Sequence, residues 1–163
     1  MSPIPLIDVK SQYAPLIPEI ERRFREVLES GQFIRGSNYW AFQEEAAAYL
    51  GVAKSVGVAN GTDAIVLTLD AMDIDPGDEV ICPAFTFYAT AESIARRGAT
   101  PVFADVDPVT LNLDPEDVAA KITPRTRALM PVHLFGRPAP MEELVALGLP
   151  VIEARNSGLS SFQ

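Results

Sequence analysis

From Ser55 to Glu153 the chain alternates short apolar runs with segments whose apolar residues recur at helical spacing. No other feature leaves so few folds open. A strand–helix–strand order requires crossover connections, and crossovers make neighbouring strands parallel. Parallel strands must then be covered on both faces, which is why each run is apolar throughout and not alternately polar. The expectation is an α/β fold, a three-layer sandwich with a mainly parallel sheet.

The extended runs are 55–59, 79–82, 101–105, 127–134 and 149–153. Helical segments are expected at 63–72, 88–97, 115–122 and 141–147, with Pro115 at a first-turn position where its missing N–H costs nothing. Two further helices precede them. Over 15–30, Leu16, Ile20, Phe24, Val27 and Leu28 form a stripe opposite charged residues, ended by Gly31. Residues 42–50 read as the second, with Ser37 and Asn38 as possible caps and Gly51 as its stop.

Charge and cysteine content narrow the function classes. Thirteen basic and 22 acidic residues leave a net charge of −9, against non-specific nucleic-acid binding and against docking on an anionic membrane. No apolar run approaches the ~18 residues of a membrane span, and no secretory signal is evident, so a cytoplasmic location is expected. One cysteine, Cys82, and one histidine, His133, cannot assemble a cysteine framework or a His/Cys metal site.

In open parallel sheets ligands gather at the carboxyl ends of the strands. Three loops there carry useful residues. In Asn60-Gly61-Thr62, free N–H groups of a first helical turn and the positive end of the helix dipole favour a phosphate. The same residues also read as a tight turn with Thr62 as a plain N-cap, and Asp63 would repel a phosphate unless turned aside. The loop Ala84-Phe85-Thr86-Phe87-Tyr88 offers aromatic faces for a planar ring, or covers the sheet edge as core. His133 is either an acid–base group or a histidine held by core hydrogen bonds.

In order along the chain, IPLIDVKSQY, GQFIRG, AAYLGV, VGVANGTDAIVLTLDAM, PGDEVICPAFTFYATAESI, GATPVFADVDPVTLNLDP and PVHLFGRPAPMEEL resemble the DegT/DnrJ/StrS family of sugar aminotransferases. The collinear match runs over about residues 3–153. It implies an incomplete large domain of a fold-type I transferase dependent on pyridoxal 5'-phosphate. Gly61 and Thr62 would cradle the cofactor phosphate, Phe87 would stack on the pyridine ring, and His133 would border the site. The family moves an amino group, usually from glutamate, onto a keto-sugar joined to a nucleotide, and its members are usually homodimers.

The resemblance breaks off after Glu153. Where the family reads V-I-E-D-A-A-Q, this chain has Ala154 at the aspartate that pairs with the pyridinium nitrogen and Ser157 at the glutamine. The family's Schiff-base lysine falls beyond the last residue here, and Lys10, Lys54 and Lys121 match no motif. Residues 1–153 are therefore expected to be the front of a cofactor-binding domain and 154–163 a non-matching polar tail, from a frameshift or fusion. Catalysis by this polypeptide alone is not expected. The alternative is a non-catalytic α/β domain that binds a phosphate ligand or assembles with a partner subunit.

Overall fold

A computed structural model describes residues 8–155 and 161–162. The chain divides into two compact units, Met1–Gly57 and Val58–Gln163.

The first unit is helical: α1 (Val9–Tyr13), a 3-10 turn (Ala14–Leu16), α2 (Ile17–Ser30) and α3 (Ser37–Leu50). Asp8 caps α1 by accepting from the Ser11 N–H at 3.1 Å. The helix expected over 15–30 is split, because Pro15 and Pro18 each occupy a first-turn position and α2 starts only after the 3-10 turn. Helix α3 begins five residues earlier than its apolar pattern suggests. Ser37 and Asn38 lie inside it, and Gly36, extended at φ −69° and ψ 179°, stands at the cap. No residue of α2 or α3 is buried, and Ile20, Phe24 and Leu28 present their stripe to solvent.

The extended run expected over 55–59 forms no strand. Side chains of α3 take the hydrogen bonds that a ladder would use at Gly57. Its N–H donates to Gln43 Oε1 at 2.9 Å, and its carbonyl accepts from the Tyr39 hydroxyl at 3.3 Å. A Cβ at Gly57 would lie 2.9 Å from Tyr39 Cε2, so this approach needs glycine.

The second unit carries α4 (Gly61–Ala71), β1 (Glu79–Pro83), α5 (Ala89–Arg96), β2 (Thr100–Ala104), α6 (Pro115–Lys121), β3 (Thr126–Leu129), β4 (Val132–His133), α7 (Met141–Val145), β5 (Ile152–Arg155) and β6 (Ser161–Phe162). Strands β2, β1 and β3 pair in that order, all parallel. Strand β4 pairs with β5 in parallel, and a parallel bridge between Leu129 and Val151 links the two ladders.

The single strand expected over 127–134 is broken at Pro131, which has no N–H to donate. Met130 on one side donates to the Ile81 carbonyl at 2.8 Å, and the Pro131 carbonyl accepts from Ala154 N–H at 3.0 Å. Leu129, before the break, already donates to the Pro150 carbonyl at 2.9 Å, so β1 and β5 flank this stretch from opposite sides. The polar tail is not wholly without structure, since Ser161–Phe162 pairs antiparallel with Ile152–Glu153.

Side chains alternate across the sheet and build two cores. Val80, Cys82, Ala128, Met130 and Ile152 pack with Ile65 and Leu69 of α4 and Ile94 of α5. Ile81, Leu129 and Val151 face the other way, against Val118 of α6 and Leu144 of α7. Helices on both faces of a mainly parallel sheet make the three layers expected from the sequence. Burial pushes the Cys82 thiol up to about 12, so it stays protonated and unreactive near neutral pH.

Polar ties fix the strand starts. Glu79, buried at the head of β1, accepts from the Thr123 hydroxyl at 2.5 Å and from Arg125 Nε at 2.9 Å. These hydrogen bonds hold its carboxyl below its ordinary 4.5. Lys121, and then the Asp105 N–H, hold Asp117 below its ordinary 3.8. A carboxyl depressed in the folded state adds stability that is full above its unfolded pKa and is lost as pH falls through the folded one. The denaturation midpoint is thus expected to be flat from pH 7 to about 5 and to fall steadily below about pH 4.5. Urea titrations at stepped pH check this, and the acid limb should shrink in Glu79→Gln.

Candidate functional site

In open parallel sheets the strand order marks the position that ligands most often take. From β1 the chain crosses through α5 on one face to β2, and from β4 it turns through α7 on the opposite face to β5. Adjacent strands whose connections leave in opposite directions create a crevice at their carboxyl ends. Its lips are the 84–88 loop after β1 and the 134–140 segment after β4.

Helix α4 packs on the α5 face. The structure corrects the reading of Thr62 as its cap. Asn60 is the N-cap, with its Oδ1 accepting from the Asp63 N–H at 2.9 Å, and Gly61 and Thr62 are the first two helical residues. The Ala64 N–H reaches the Asn60 carbonyl at 3.2 Å. Gly61 and Thr62 are left with N–H groups that have no acceptor among the described residues. Asp63 folds back on the cap, its carboxylate accepting from Asn60 Nδ2 at 3.0 Å. Two free donors at the positive end of an 11-residue helix can hold a phosphate.

The aromatic loop is not core. Phe85, Phe87 and Tyr88 are exposed, Phe87 at 71%. Behind them Thr86 and the buried Thr90 share a hydroxyl–hydroxyl hydrogen bond of 3.1 Å that ties the loop to α5.

His133 has its two ring nitrogens occupied. Nδ1 accepts from the Ala139 N–H at 2.9 Å, so the ring hydrogen is on Nε2, which donates to the Glu153 carboxylate at 3.0 Å. Both side chains are buried, and Arg155 stands 3.8 Å from the same carboxylate. With no free nitrogen facing a ligand, His133 anchors β4, β5 and the following loop to one another. Core hydrogen bonding was one of its two readings, and Glu153 is the partner the sequence did not name.

The sequence also gave no warning of Asn112. Buried at 1% exposure, it accepts from the Leu134 N–H at 3.3 Å and donates through Nδ2 to the carbonyls of Arg137 and Pro138, at 3.2 and 2.8 Å. It lies in a segment legible only as a loop, and its partners are more than twenty residues away.

Ala154 follows Ile152 on the α4 face of β5 and packs with Val132 and Leu134. The position matched to the ring-nitrogen carboxylate is therefore on the expected face, but its surroundings are hydrocarbon. Ser157 and the matching segment at 3–7 lie outside the described residues. Lys121 pairs with Asp117 at 2.5 Å, while Lys10 and Lys54 are exposed in the first unit. Among the described residues no cluster of His, Cys, Asp or Glu would hold a metal. Among the same residues no helix is long and apolar enough to cross a membrane. Two open cavities of about 370 and 480 Å³ lie in the first unit and include none of the three loops.

A mainly parallel sheet between two helical layers is the architecture of fold-type I pyridoxal-phosphate aminotransferases. The chain belongs to the DegT/DnrJ/EryC1/StrS aminotransferase family, whose pattern it matches over residues 16–155. It is 49% identical to a pleiotropic regulatory protein of Geobacillus stearothermophilus, over 92% of this chain and 41% of that one. It is 48% identical to a UDP-N-acetyl-3-dehydro-alpha-D-glucosamine 3-aminotransferase of Acidithiobacillus ferrooxidans, over 92% and 42%. The crystal structure of Streptomyces venezuelae DesV with a ketimine intermediate superposes with TM-score 0.90 at 41% identity, over 94% of this chain and 42% of that one. A Bacillus subtilis protein, NtdA, solved with bound pyridoxamine phosphate, superposes with TM-score 0.88 at 33% identity, over 94% and 36%. The chain thus spans about two fifths of the length of the relatives it matches.

Proposed function

We propose that residues 1–153 are the front of the cofactor-binding domain of an aminotransferase acting on nucleotide-linked keto-sugars, with glutamate as amino donor. The stretch expected as a tail, 154–163, starts inside β5, so the domain would reach Arg155 and the tail would follow it. The observation that carries this reading is the pair of N–H groups at Gly61 and Thr62 that have no acceptor among the described residues, at the start of a helix packed on the α5 face of the sheet. Those donors would hold the phosphate of pyridoxal 5'-phosphate, and the exposed Phe87 would cover a face of its ring. When bound, that cofactor supplies an electron sink for amino transfer.

The fit is partial. The phosphate and the ring face have partners, but Ala154 brings no carboxylate to the ring nitrogen. A protonated ring there would meet Val132 and Leu134, and low-polarity surroundings disfavour the charged form. The residues described here would bind and orient the cofactor without sustaining its electron sink, so no catalytic step is assigned to them. The same substitution favours a second reading: a non-catalytic domain that binds a phosphate compound. The exposed stripe of Ile20, Phe24 and Leu28 suits a second copy of the chain, as in a homodimer.

Titration with pyridoxamine 5'-phosphate tests the binding reading, because it needs no lysine aldimine. Gly61→Pro removes one donor while leaving the helix start intact, since Asn60 is already extended at φ −160° and ψ 172° as a residue before proline must be. The expected result is submillimolar binding by the parent and at least tenfold weaker binding by Gly61→Pro, with unchanged thermal unfolding. Equal binding by both proteins would place the phosphate elsewhere.

A further inference from the structure

We infer that Phe135 is a second aromatic wall of the crevice, stacking on the flat ring of a phosphorylated ligand from the lip opposite Phe87. This rests on the phosphate-binding reading of α4.

Phe135 sits in the left-handed region at φ 53° and ψ 26°, where a bulky side chain crowds its own backbone. Nothing within the fold rewards that conformation through the ring itself, which is 77% exposed. The strain is imposed from both flanks. On one side the Leu134 N–H is held by Asn112 Oδ1, and His133 is locked to Glu153. On the other, the Arg137 N–H returns to the Leu134 carbonyl at 3.0 Å, Asn112 Nδ2 grips the Arg137 and Pro138 carbonyls, and Ala139 N–H is bound by His133.

Two buried polar side chains thus clamp a tight turn, and the residue at its apex is a solvent-facing aromatic. Backbone strain held by surrounding structure is characteristic of ligand-contact positions. Here the turn closes the carboxyl end of β4, across the switch point from the loop that exposes Phe85 and Phe87. Aromatic side chains on the two lips suit a planar ring between them, each in offset or edge contact with it.

The test compares Phe135→Gly, Phe135→Leu and Phe135→Tyr for thermal stability and for affinity towards pyridoxamine 5'-phosphate. Phe135→Gly is expected to raise the unfolding midpoint, since glycine is at ease in this conformation. It should also weaken binding at least fivefold. Phe135→Leu keeps the strain and loses the ring, so its affinity should fall without the gain in stability. Phe135→Tyr should match the parent in both. Parent-like affinity in Phe135→Gly and Phe135→Leu would overturn the stacking role while leaving the phosphate reading in place. Absence of binding by the parent itself would overturn both.

Discussion

Leu69→Ala is expected to lower the unfolding free energy by about 2–5 kcal/mol, the range for emptying a well-packed leucine site. Leu69 is fully buried on α4, between the sheet residues Val80 and Met130 and the α5 residue Ile94. Neighbours held in a sheet cannot collapse into the space, so the upper half of that range is the expectation. The loss would be a large share of a typical domain stability of roughly 5–15 kcal/mol. Urea denaturation reads it as a lower midpoint at unchanged slope. A midpoint within error of the parent would mean that α4 is not docked on the sheet as described. The phosphate site would fail with it, because α4 aims the Gly61 and Thr62 donors.

His133→Ala is the second large effect. It removes the donor to a buried carboxylate and the acceptor of the Ala139 N–H in one step. Leaving a buried acceptor without its donor costs about 1–3 kcal/mol, and more for a charged group, because the acceptor has lost its solvation and gains nothing in return. Arg155, at 3.8 Å and half exposed, is too distant to replace it. The double variant His133→Ala/Glu153→Leu removes the stranded charge as well. It is expected to be more stable than His133→Ala alone by at least about 1 kcal/mol, a coupling typical of residues in contact. Additive losses would show that the two side chains do not depend on each other.

Much of this could be read in advance because it depends on periods. Apolar runs bounded by turns located β1, β2 and β5, and helical spacing located α4 to α7 within a few residues, because burial on both sheet faces demands those patterns. The helix start at Asn60-Gly61-Thr62 was legible from its turn and cap residues, although the strand expected before it does not form. Errors arose where one local signal had two outcomes. An extended run at 55–59 becomes a strand only if a neighbour supplies a ladder, and at Gly57 α3 supplies Gln43 and Tyr39 instead. Thr62 suits an N-cap, yet Asn60 does too, and which side chain reaches the Asp63 N–H is settled by geometry.

By itself, then, the sequence determined the fold class, the order of its elements, the family resemblance and the loss of a carboxylate at Ala154. Each of these is carried by residue type at a fixed spacing along the chain. Only the tertiary structure decided that His133 is an anchor, that Asn112 and Glu153 hold the turn and strands around it, and that Phe135 is strained and exposed. Those facts come from pairs twenty or more residues apart, whose hydrogen bonds exist only after the sheet has brought its strands together.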